Sequence, residues 1–122
     1  MPLTYKIDDG IVHVAVSGLI EAEQQMAFTR EWLADPALPY PIRVLRDARR
    51  EVLPEVGMLE MRDSIRLAKN LPNRGAIAFV VGDEMIRANA RVYQALVGAH
   101  HDVGIFDDPA EARHWLLETE LH

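Results

Sequence analysis

The stretch Ala76-Ile77-Ala78-Phe79-Val80-Val81, "AIAFVV", places six apolar residues in a row with no polar alternation. Such a run suits a central strand covered on both faces, and central strands of that kind belong to parallel sheets flanked by helices. Gly82-Asp83 follows it and opens a helix, with Asp83 as the expected N-cap. Pro72-Asn73 precedes it and breaks the helix read in "PEVGMLEMRDSIRLAKNL", where Pro54 suits the first turn and Met58, Met61, Ile65 and Ala68 recur at helical spacing.

Working outward, "IRVLRD" reads as a strand before that helix, and "DVGIF" as one after the next. "DDPAEARHWLL" closes the chain with a strong helix start. Asp108 caps, Pro109 takes the first helical position and Glu111 completes a D-x-x-E capping box. Towards the N-terminus, "LTYKID" and "IVHVAVSG" flank Asp9-Gly10, a strong hairpin signal. Residues 20 to 34, "IEAEQQMAFTREWLA", form a helix with Ala22, Met26 and Leu33 in one stripe and Phe28 and Trp32 beside it. Asp35-Pro36 ends it. The order is ββαβαβαβα. It predicts a single α/β domain over residues 1–122, with a mixed, mostly parallel five-stranded sheet and flanking helices.

Composition agrees with one ordinary globular domain. The chain has 122 residues, 49% hydrophobic and 26% charged. A domain of this size buries roughly 65% of its unfolded surface. The net charge of −6 argues against broad nucleic-acid or anionic-membrane binding. The absence of cysteine excludes disulfides, thiolate metal sites and thiol nucleophiles. No apolar run reaches the length of a membrane helix, and "MPLTYKIDDG" lacks the form of a signal peptide, so a cytoplasmic protein without stable membrane insertion is expected.

Catalytic patterns are weak. Ligands of open α/β sheets sit beyond the carboxyl ends of the strands, where Asp47, Asp83, Asp107 and Asp108 are expected. Two of these are explained as caps. Asp47 and Asp107, with the arginines nearby, leave open an enzyme for phosphoryl or hydrolytic chemistry. Arg46, Asp47, Arg49 and Arg50 in "VLRDARRE" read as a charged turn, a polar contact surface or a solvated strand end. His100-His101 has no third ligand at a metal-site spacing, so no metal and no cofactor are expected. No serine stands in a G-x-S-x-G elbow.

The third helix is more informative. At 100° steps its apolar residues cover roughly 220° of the circumference, more than one sheet face buries. The flank Ile86-Ala90-Tyr93-Val97 therefore calls for a further partner: a neighbouring helix, a second subunit or an apolar ligand. Asn89 lies inside the arc and needs a hydrogen-bond partner if buried. Met58 and Met61 are adaptable side chains suited to a core or a pocket. Together these seven residues form the candidate apolar ligand or interface set.

Over residues 4 to 117 the pattern resembles the SpoIIAA-like family, a branch of the STAS and SEC14-like proteins. The hairpin, "SGLIEAEQ", "VLRDAR", "RGAIAFVVGDEMIRANARVY" and "VGIFDDPAEARHWL" carry the resemblance. It implies a mixed, mostly parallel sheet with helices. Its STAS relatives antagonise anti-sigma factors and are switched by phosphorylation of a Ser or Thr between the third strand and second helix. Here that segment, "VLRDARREVLPEVG", has neither, and from Gly18 to Asp63 the only one is Thr29. The SEC14-like relatives imply binding of small apolar molecules. The expected protein is a non-enzymatic regulatory or binding module, homodimeric, with a protein partner or a small apolar ligand. A purely structural dimer module is the remaining alternative.

Overall fold

The computed structural model describes residues 2–53 and 58–121, with only the backbone described for 58–61. Five strands form one sheet: β1 (Leu3–Asp8), β2 (Ile11–Leu19), β3 (Arg43–Val52), β4 (Ala76–Val80) and β5 (Asp102–Phe106). Four helices accompany them: α1 (Ala22–Leu33), α2 (Met58–Lys69), α3 (Glu84–Val97) and α4 (Pro109–Glu118). The expected order holds. Asp9 and Gly10 both take positive φ, 54° and 75°, which a two-residue hairpin turn requires. β1 pairs antiparallel with β2, and every later pairing is parallel.

The strands lie in sequence order, β1-β2-β3-β4-β5, so the sheet never reverses direction. Right-handed crossovers that all step the same way leave their helices on the same face. That puts α1, α2 and α3 together and leaves α4, which crosses to no further strand, for the other face. β4, an interior strand, shows both sides. Ala76, Ala78 and Val80 pack with Ala112 and Leu116 of α4, while Phe79 and Val81 pack with Ile86 and Ala90 of α3. A third cluster, with Val14, Val44, Phe28 and Trp32, fills the space under α1.

Caps end the helices as the residue types direct. Asp83 accepts from the Ile86 N–H at 2.9 Å and Asp108 from the Ala110 N–H at 3.3 Å. Glu111 is exposed, and no return bond from it stands among those of the described residues, so the expected capping box reduces to its aspartate half. Pro54 lies outside the described residues, as do the side chains of Met58 and Met61.

β3 departs most from expectation. It runs on through Arg49, Arg50, Glu51 and Val52 instead of turning after Asp47. Ala15 pairs with Asp47 but Ser17 with Arg50, so β3 carries one extra residue there, a β-bulge. Gly18, at φ +77°, sits in the facing segment of β2.

Candidate functional site

The bulge decides where the charges go. In a regular strand Arg46 and Glu51, five positions apart, would point to opposite faces. The extra residue restores them to one face: Arg46 stands opposite Val14 and Glu51 opposite Gly18, both even steps along β2. Arg46 Nη2 donates to Glu51 Oε1 at 2.8 Å. The two side chains are only 16% and 12% exposed, so this ion pair is largely out of water. The same geometry splits the expected polar surface. Asp47 joins Leu45 on the α4 face and Arg49 bonds it at 2.9 and 2.8 Å, while Arg50 is exposed. The Arg49 guanidinium holds the Asp47 carboxyl below its usual range, against the opposing effect of burial.

Above Arg46 and Glu51 lies a partly open cavity of about 220 Å³, between the sheet and helices α1, α2 and α3. Val44, Phe79 and Ile77 form part of its floor, Trp32 and Leu33 one wall, and Leu67 and Ala68 of α2 its far side. Its lining is mostly apolar. A cavity of about 150 Å³ lined by aliphatic and aromatic groups is enough to hold benzene.

α3 supplies Ile86, Asn89, Ala90 and Tyr93 to the same cavity. The structure corrects how that flank is used. It is the sheet-facing side of α3, and Tyr93 meets Phe79 edge-on at 5.3 Å between ring centroids. The surplus apolar surface of α3 is instead Met85, 72% exposed, and Leu96. Helical spacing gives angles between residues, and only packing says which angle faces the sheet. Val97 is fully buried away from the cavity lining.

Five polar side chains of the lining matter here: Tyr93, Arg46, Glu51, Thr29 and Gln25. The Tyr93 hydroxyl has no hydrogen-bond partner among the described residues, and burial pushes its pKa up to about 12, with Arg46 pulling slightly the other way. Arg46 makes one hydrogen bond among the described residues, leaving most of its five N–H donors open. Glu51 is the counter-charge. On α1, the Thr29 hydroxyl donates to the Gln25 carbonyl and accepts from Gln25 Nε2, both at 3.0 Å. That turns the amide so that Gln25 Oε1 is buried with no partner.

His101 braces the cavity's edge. Gly75 N–H can only donate, so His101 Nδ1 accepts it, at 2.8 Å, and Nε2 donates to the Ala68 carbonyl at 2.6 Å. One buried ring thus ties the last turn of α2 to the start of β4.

The expected carboxyl-end cluster does not assemble in the way its residues implied. Asp47 pairs with Arg49 and Asp107 with Arg87, each with its own arginine. The crevice rule depends on a point where strand order reverses, and this sheet has none. Among the described residues no group of three or more His, Cys, Asp or Glu could hold a metal ion. No helix among them is long and apolar enough to cross a membrane.

Sequence reasoning missed Gln25 and Trp32 as cavity residues, and it read the arginines and Glu51 as partners on a solvated turn, where the structure puts Arg46 and Glu51 on the cavity floor. Gly18 is the one local signal, since a glycine inside a strand pattern marks a bulge.

No family model and no curated protein matches the chain. Among solved structures it is similar to an uncharacterised protein of the DUF3478 family from Shewanella loihica, described as having a SpoIIAA-like fold. The two share 17% identity, with 93% of this chain and 91% of that one covered and a TM-score of 0.65. The element order, the five-stranded sheet and this likeness agree: the chain has a SpoIIAA-like fold.

Proposed function

We propose that this chain is a non-enzymatic binding module that holds a small, mostly apolar molecule between its sheet and helices α1 to α3. The observation that carries the reading is the 220 Å³ cavity with its desolvated Arg46–Glu51 pair. A mostly apolar space of this size, partly open to the surface, has room for a small guest. The resemblance to proteins that bind small apolar molecules points the same way. Phosphorylation-driven partner switching has no Ser or Thr to act on between β3 and α2. A regulatory role would therefore run through ligand occupancy or direct protein contact.

Toluene tests this. It is of a size to fit the cavity, and at concentrations well above its Kd it should raise the unfolding temperature by several degrees. Ala90→Leu places extra carbons in the cavity from a side chain that is 3% exposed. The variant should fold with little loss of stability and bind no toluene. A loss of about 1–3 kcal/mol, as for an overpacked core, together with no toluene effect on the parent protein, would remove the reading.

Self-association is a second reading, carried by Leu19 and Val52. These two are register partners on β2 and β3, 53% and 55% exposed, and so present a paired apolar surface. We propose a homodimer through it. Sedimentation of the Leu19→Glu variant as a monomer, against a dimeric parent, is the expected outcome.

A further inference from the structure

The polar groups of the cavity carry a statement about its ligand that the cavity's size does not. This inference rests on the cavity reading above. A bare arginine in an apolar pocket would recruit a carboxylate or phosphate. Here Arg46 already has its counter-charge, because the β3 bulge turns Glu51 onto the same face at 2.8 Å. The site is neutral before anything enters. An anion would bring an uncompensated charge into a poorly hydrated space, beside Glu51, and burying an unpaired charge is strongly unfavourable. An uncharged group suffers neither penalty.

The hydrogen-bonding groups narrow the choice further. Arg46 and Tyr93 present donors with no partners among the described residues. A hydrocarbon leaves these donors unmet. A hydroxyl or amide oxygen accepts from them without bringing a charge.

We propose that the cavity selects uncharged amphipathic molecules of about eight non-hydrogen atoms, an apolar body ending in a hydroxyl or primary amide, and that Glu51 is the residue that rejects anions. Volume supports the size. A cavity of about 150 Å³ holds benzene, with its six carbons, and 220 Å³ scales to about eight or nine atoms.

The experiment compares toluene, benzyl alcohol, benzamide and benzoate on the full chain, by calorimetric titration at neutral pH. These probes share one ring and differ at one substituent. Benzyl alcohol and benzamide should bind roughly tenfold more tightly than toluene, the yield of one or two net hydrogen bonds, and benzoate more weakly than either. In Glu51→Gln the ranking should shift towards benzoate, since Arg46 then lacks its counter-charge. Tyr93→Phe, which leaves the ion pair intact, should reduce the preference for benzyl alcohol over toluene. Benzoate binding the parent chain best, or a ranking unchanged in both variants, would overturn the selectivity while leaving the cavity reading standing. Failure of all four probes, toluene included, would overturn both.

Discussion

Arg46 and Glu51 hold each other in a place where neither could stay alone. Both are largely removed from water, and the pair touches a mostly apolar lining. Removing one partner leaves the other desolvated and unpaired, at a cost of about 3–5 kcal/mol for fully buried pairs. Replacing both with aliphatic groups can be neutral. Arg46→Leu should therefore destabilise by about 2–4 kcal/mol in urea unfolding, and Arg46→Leu/Glu51→Leu by much less than the sum of the singles. Additive singles would mean that the two charges are solvated independently. Tyr93 gives a second residue-level test, in alkali. Its folded pKa is raised, to about 12 from 10.0, chiefly by burial. The neutral phenol therefore favours the folded state. That stability is fully present below about pH 10, the unfolded value, and is lost as pH rises through the folded one. Two units correspond to about 3 kcal/mol. Tyr93→Phe should unfold less steeply between about pH 10 and 12, and one late-titrating phenolate should vanish from its ultraviolet absorbance. An unchanged alkaline profile would place the hydroxyl in contact with bulk water.

At the scale of elements, α3 is set by its first residue outside the helix. Asp83 takes extended backbone, φ −150°, and accepts from the Ile86 N–H at 2.9 Å. Asp83→Ala should cost about 1 kcal/mol, the usual worth of such a cap, and a chemical denaturation curve measures it. A loss near zero would show that the packing of Ile86 and Ala90 alone fixes the start of the helix. α3 also shows what the sequence makes legible. Its apolar spacing pointed to Ile86, Asn89, Ala90 and Tyr93, and these four line the cavity. The same spacing could not tell which flank meets the sheet, because angular position is relative until a partner is present. β4 was legible to within one residue, since a short apolar run bounded by turn residues suits a strand covered on both faces, and only Val81 falls outside it. The far half of β3 was not. Arg49, Arg50 and Glu51 have the composition of a solvated turn, and pairing of Arg50, Glu51 and Val52 with Ser17, Gly18 and Leu19 of β2 overrides that local preference. The Arg46–Glu51 contact follows from that pairing and so was hidden with it. Gln25 was hidden for a similar reason, because nothing in "EAEQQMAF" indicates that α1 overhangs the same space as α3.

Across the whole molecule, the unreversed strand order divides the labour between two faces. α4 closes one face with Ala112 and Leu116, both at 0% exposure, against β3 and β4. The other face carries three helices, and between them and the sheet lies the cavity. α2 rests on α1 and α3, and it turns Ser64, Leu67 and Ala68 towards the cavity. Its ties to the rest include the Ser64 hydroxyl against Met26 Sδ at 3.7 Å and the His101 bond to the Ala68 carbonyl. A roof supported by neighbours above an unfilled space should open at lower free energy than a helix set flat on a sheet. A ligand in the cavity supplies the missing contacts from below. Hydrogen exchange should therefore slow more in α2 than in α4 when toluene is added. α4 is the internal standard because it lies on the opposite face and reports only the general rise in stability that any ligand brings. Equal slowing in both helices would mean that α2 opens only when the whole domain unfolds. Preferential slowing in α2 would identify it as the element through which occupancy of the cavity reaches the surface, and hence as the part of the molecule a protein partner could read.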